Sequence, residues 1–178
     1  MVWAAPLSLA PAPPPRFGHS YTGRVADQRP PHLDADERTT LGALLQFQRE
    51  SFVRKLSGVD ETEAAASPVP SGTNLLWLAN HVADAETTWV LERFAGEPEP
   101  AIEPHVLEVA GALLRYQELW PRVDAVVAAA GLEDECPPFD GRPVVNMRWI
   151  LGHLLEEIAR HAGHADILRE LIDGQIGR

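Results

Sequence analysis

Four stretches of the chain place apolar residues every three to four positions, the spacing that puts them on one side of an α-helix. The first follows Asp34 or Asp36, either suited to cap it, and carries Leu41, Leu44, Leu45, Gln48, Phe52 and Leu56 before Gly58 stops it. The second, Thr73 to Phe94, has Leu75, Leu78, Ala79, Val82 and Trp89 in one stripe, with His81 at its edge. GEPEPAIEP then ends the pattern. The third, Val106 to Ala130, has Leu107, Ala110, Leu114, Val123, Val126 and Val127 as apolar positions. Pro121 lies inside it and predicts a kink or a division, because proline lacks the amide and crowds the preceding turn. After a polar, proline-rich loop from Gly131 to Pro143 comes the longest stretch, residues 146–174, with Met147, Ile150, Leu151, Leu154, Ile158, Ala165, Leu168 and Ile172 facing inward and Gly174 as its stop.

No strand-like alternation of useful length and no repeat interrupts this pattern. Four amphipathic helices with short connections bury their stripes most simply as an all-α four-helix bundle. Residues 1–31 are different. Pro6, Pro11 and the Pro13–Pro15 run break any apolar helix, and no basic segment precedes them, so they predict a disordered Pro-rich leader rather than a signal peptide. The expected division is a leader over 1–31 and one bundle domain over 32–178.

Composition narrows the partners. The 178 residues suit one domain, and 45% apolar with 23% charged residues is ordinary for a globular protein. A formal net charge of −11 argues against nucleic acid or an anionic membrane. No apolar run is long enough to cross a bilayer. The single cysteine, Cys136, excludes an internal disulfide and fits a reducing cytoplasm, the expected location. Its acidic, proline-bounded setting, EDECPPFD, disfavours a thiolate and reads as inert.

The candidate chemistry lies in the second and fourth helices. His153, Glu157, His161 and His164 fall along one side of the fourth. Residues four apart sit one turn above one another, so Glu157 and His161 can aim at one point. The row from 153 to 164 spans roughly 16 Å at 1.5 Å per residue, too long for all four to share an ion. Glu157 and His161 are the central pair. Glu157 borders the stripe of Leu154 and Ile158, where an unpaired carboxylate is costly and a metal ion removes that cost. Glu156 points about a quarter-turn away and reads as a solvated position. His81 alone reads as a packed histidine satisfied by a neighbour; beside this pair it is the candidate third ligand. His153 and His164 are candidate catalytic groups that face a substrate, or else exposed and capping histidines.

Other metal signatures are missing: no H-E-x-x-H, no cysteine pair, no EF-hand loop, and no second E-x-x-H of a di-iron bundle. What remains is a mononuclear site with three protein ligands and an open position. Two nitrogens and a carboxylate suit Zn²⁺ first, with Ni²⁺, Fe²⁺ or Mn²⁺ as alternatives.

Three segments, LDADERTTLGALLQFQRESFVRKLSGV, NLLWLANHVADAETTWV and MRWILGHLLEEIARHAGHADILRELIDG, resemble the DinB-like superfamily of metal-binding four-helix proteins. That superfamily includes mycothiol-dependent maleylpyruvate isomerase and bacillithiol transferases, and the chain is most similar to an actinobacterial branch without an assigned reaction. The resemblance runs from about Leu33 to Gly174 and is most specific in R-W-I-L-x-H-x-x-E-E-x-x-R-H-x-G-H-A-D. It implies a divalent metal held by His81, Glu157 and His161. Many relatives have histidine where this chain has Glu157; the isomerase resembles this chain in using glutamate. A shorter connection between the second and third helices, and ETTWV in place of an E-R-Y-W-type run, depart from the branch.

The resemblance further implies a low-molecular-weight thiol of the mycothiol type as co-substrate, an electrophilic small molecule as its partner, and S-transfer or isomerisation as the reaction. A divalent ion with an open position favours a thiolate over a thiol, or activates water and makes a hydrolase. His153 or His164 would accept a proton. Arg148, Arg160 and Arg169 would bind carboxylate or sugar-linked groups of the thiol, or else be solvated, and Asp166, Arg169 and Asp173 read as a surface ion-pair ladder. Two other readings stand beside this one: a non-catalytic metal-binding or stress-associated protein, and a bundle whose histidine seam serves dimerisation. Relatives are often dimers, so a homodimer is expected.

Overall fold

A computed structural model describes residues 28–98, 105–138, 141 and 143–176. The stretch 1–27 of the expected leader lies outside the described residues; 28–31 are exposed and without regular structure. The helices are α1 (Glu37–Leu56), the short α2 (Glu61–Ala65), α3 (Leu75–Glu86), α4 (Val109–Ala129) and α5 (Met147–Asp173). A π-helical segment, Thr87–Phe94, continues α3 without a break. Among the described residues β-pairing is limited to one bridge, Glu135 with Asn146, and no helix is long and apolar enough to cross a membrane.

Side chains at the helix starts explain where they begin. Of the two candidate caps for α1, Asp36 does the work, accepting from the Thr39 amide at 3.0 Å. Asn74 and Asn146 accept from the amides of Trp77 and Trp149 in the same way. The start of α4 is capped from a distance: the Glu61 carboxylate of α2 accepts from the amides of Val109 and Ala110. That is why α4 starts at Val109 rather than Val106, and it sets a negative charge on the positive end of the helix. Gly174 closes α5 in the left-handed conformation at φ 76°.

Contacts between helices fix their directions. Arg148 at the start of α5 bonds Glu37 at the start of α1, and Lys55 near the end of α1 pairs with Asp166, so these two run parallel. Arg38 donates to the carbonyls of Val127 and Ala130 near the end of α4, while Phe52 packs edge-on against Tyr116, so α1 and α4 are antiparallel. Asp84 pairs with Arg115, and Glu86 with Tyr116, making α3 and α4 parallel. Trp77 lies beside His161 and Trp89 beside Trp149, making α3 and α5 antiparallel. The four long helices thus form an all-α up-down-down-up bundle, in the order α1, α5, α3, α4 around the core. Parallel neighbours cannot be joined by a tight turn, so the expectation of short connections throughout does not hold between α3 and α4.

Three expectations need correction. Pro121 does not divide α4, which is one helix to Ala129. Pro121 and Gln117 are on the exposed side, where water can take the carbonyl that proline leaves without a donor. Leu107 and Leu114 are 83% and 56% exposed and Ala110 is exposed too; the buried face is Val109, Ala112, Leu113, Tyr116, Leu119 and Val123. Tyr116, anchored to Glu86, sets that rotation. Asp166, Arg169 and Asp173 form no surface ladder, because Arg169 is buried. It bonds Asp173 at 2.6 Å and the carbonyls of Lys55 and Ser57, tying the end of α5 to the end of α1.

Candidate metal centre

His81 projects from α3 and Glu157 and His161 from α5, and the antiparallel packing of these helices brings the three together. Nε2 of His81 and Nε2 of His161 each lie 3.0 Å from Oε1 of Glu157. One ligand atom from each residue falls within 4.8 Å of the others. Donors bound to one small cation at about 2.0–2.1 Å with tetrahedral angles sit roughly 3.3 Å apart, close to the spacing found here. The donor set, two imidazoles and a carboxylate, is also the chemistry that such an ion takes. The residues fit a divalent cation.

Neighbouring groups hold these side chains in place. Arg160 Nη1 lies 3.4 Å from the second oxygen of Glu157, so the carboxylate turns Oε1 towards the two imidazoles. Arg160 also pairs with Glu156, and Arg148 with Glu37 and Glu133, so both arginines are engaged within the protein. The other nitrogen of His161, Nδ1, faces Nδ1 of exposed His164 at 3.3 Å. A partner on the second ring nitrogen orients a ligating histidine. The Trp77 indole stacks on His81 at 4.6 Å.

Electrostatics follow from the burial. Burial raises the Glu157 carboxyl, but the hydrogen bonds from His81 and His161 outweigh it, and its pKa is lowered from the usual 4.5. Burial lowers His161 below the usual 6.5, more than its bond to Glu157 raises it. The pair therefore favours a carboxylate beside a neutral imidazole, the protonation states in which both groups bind metal.

His153 is not brought to the triad. It lies one turn upstream of Glu157, stacked on Trp149 at 4.9 Å and edge-on to Trp89 at 4.8 Å. The Arg93 guanidinium sits over the far indole, 4.2 Å from the Trp89 ring. The π-helical winding explains this placement. An α-helix turns about 100° per residue and a π-helix about 80°. Continued as an α-helix from His81, the chain would aim Trp89 about 80° and Arg93 about 120° away from the His81 direction. Winding as a π-helix from Thr87 brings both within about 30°. A seam between α3 and α5 results, with Trp77, His81, Trp89 and Arg93 on one wall and Trp149, His153, Glu157 and His161 on the other.

Trp77 and Trp149 are functional candidates that sequence reasoning missed. Each stands one turn before a histidine on the same helix face, and that spacing could have found them. A second missed group is buried in the core. Arg49 donates to Glu86 from Nε at 2.9 Å, Tyr116 donates to the same Glu86 oxygen at 2.7 Å, and Arg49 reaches Asp124 at 2.8 Å. Cys136 is buried, as an inert cysteine would be.

Comparison with known proteins agrees with this architecture. A conserved protein from Enterococcus faecalis, known from its crystal structure, superposes with a TM-score of 0.56 at 19% identity, covering 79% of this chain and 99% of that one. At that identity the likeness concerns the fold. No protein sequence of curated function matches. A family described as Mycothiol-S-transferase matches residues 40–174, most of the chain. The chain belongs to that mycothiol S-transferase family, of the DinB-like type.

Proposed function

We propose that this protein is a metal-dependent S-transferase, joining a low-molecular-weight thiol of the mycothiol type to an electrophilic small molecule. In this reading His81, Glu157 and His161 hold one divalent cation, Zn²⁺ first. The observation that carries it is the convergence of two imidazoles on one carboxylate oxygen from helices 76 residues apart, in a chain of this family.

When bound, the ion favours a thiolate over a thiol near neutral pH. The protein's own residues do the rest. Arg160 keeps Oε2 of Glu157 occupied and leaves Oε1 to the site. His164 holds the His161 ring so that Nε2 faces inward. The thiol proton leaves to solvent at this exposed edge of the site, where His164 lies. Sulfur then bonds the electrophilic carbon as the leaving group departs with its electron pair. His81 is a third exposed, and small molecules reach the seam from that side.

Elemental analysis of the purified protein and of His81→Ala tests the ligand set: about one divalent ion per chain is expected, lost in the variant. Incubation with mycothiol and a haloaromatic electrophile tests the reaction. A bound ion without any metal-dependent thioether would leave a non-catalytic metal-binding protein; no ion at all would remove the proposed centre.

A further inference from the structure

The seam carries an aromatic shelf that the three proposed ligands do not use. Trp149 is stacked on His153 yet 45% exposed, so much of its indole is open to solvent. His153 is held between Trp149 and Trp89, and among the described residues no protein group hydrogen-bonds either of its ring nitrogens. An open apolar ring beside an imidazole able to donate or accept suits a ligand with one apolar face and hydroxyls at its edge. A sugar ring is such a ligand.

Distance selects which part of the substrates lies there. Trp149 is eight residues before Glu157 on α5, about 12 Å at 1.5 Å per residue. Trp89 stands equally far from His81 along the other wall. In mycothiol about eight bonds separate the sulfur from the inositol ring, a reach of about 10 Å when extended. A thiol whose sulfur is at the triad would lay its inositol against Trp149 and its glucosamine beside His153, where by helical register Ala85 leaves the facing wall low. The electrophile's reacting carbon must meet the sulfur at the triad, and a small electrophile does not span the roughly 12 Å from there to the shelf. The indole within reach of that point is Trp77, one turn from His81 and 44% exposed.

Building on the thiol-transfer reading, we propose that Trp149, His153 and Trp89 form the subsite for the pseudodisaccharide of the thiol, and so select mycothiol over smaller thiols.

The thiol-free pseudodisaccharide, glucosaminyl-inositol, tests this without metal or turnover. Metal-free protein should give saturation-transfer NMR signals on the sugar protons at millimolar probe, lost in Trp149→Ala and weakened in His153→Ala. In the transfer assay, Trp149→Ala should raise the KM for mycothiol at least about tenfold and leave that for N-acetylcysteine unchanged. Trp149 is 45% exposed, so the variant should fold, which circular dichroism checks. Equal sugar signals in the wild type and Trp149→Ala, no signal in either, or an equal rise in KM for both thiols would overturn the subsite. A raised KM for the electrophile alone would overturn it too, by giving the shelf to the other substrate. Sugar signals that depend on Trp149, with no transfer from either thiol, would retain the subsite and remove the transferase reading.

Discussion

Nε2 of His81 lies 3.0 Å from Oε1 of Glu157, joining α3 to α5 across 76 residues of sequence. A metal ion on this junction binds the folded chain and not the unfolded one, so it should stabilise the fold. At free Zn²⁺ one hundred times the dissociation constant, the gain is about 2.7 kcal/mol. Denaturant unfolding with Zn²⁺ and with a chelator should differ by about that much in the wild type and by almost nothing in His81→Ala. An equal shift in the variant would place the ion elsewhere.

Acid should weaken the metal-free fold in two stages. His161 and Glu157 both have lower pKa values folded than unfolded, so each binds protons more tightly in the unfolded chain. The His161 contribution is complete above pH 6.5 and is lost as pH falls through its lowered folded pKa. The Glu157 contribution is complete above 4.5 and is lost further down. Urea midpoints measured in chelator should fall from about pH 6.5 downward. The upper stage should disappear in His161→Gln while the rest of the profile persists.

Arg49, Glu86 and Tyr116 form a buried network away from the proposed centre. Burial opposes the Arg49 charge, but the Glu86 carboxylate holds its pKa above the usual value. Removing one partner leaves the other charge buried and alone, so Arg49→Met should cost about 3–5 kcal/mol in denaturant unfolding. Arg49→Met with Glu86→Leu removes both charges and should recover much of that loss. Metal content should stay the same in both proteins, provided they fold.

Pro121 is a built-in weakness of α4. Proline inside a helix is about 3 kcal/mol less favourable than alanine, although an exposed position lets water take up part of the deficit. Pro121→Ala should therefore raise the denaturant midpoint, by about 1–3 kcal/mol of stability. An unchanged midpoint would mean that water fully satisfies the Gln117 carbonyl.

The four long helices and the spacing of Glu157 and His161 could be read from the chain because each depends on neighbours three or four residues away; the short α2 and the π-helical winding of Thr87–Phe94 could not. The same periodicity misjudged α4. An exposed Leu114 and a buried Leu113 are equally apolar, and only the docking of Tyr116 onto Glu86 decides which one faces the core. Arg49 and Glu86 likewise look like ordinary polar helix positions until the fold encloses them.

Local sequence alone determined four amphipathic helices, most of their caps, and a histidine and a carboxylate aligned on the last helix, since helical geometry makes these relations wherever the helix sits. Tertiary structure decided that α3 runs antiparallel to α5, so that His81 meets Glu157, and that eight residues wind as a π-helix, so that Trp89 and Arg93 turn towards His153. Both depend on contacts between segments that are far apart along the chain, and no local period encodes the direction of a distant helix or the one place where its winding loosens.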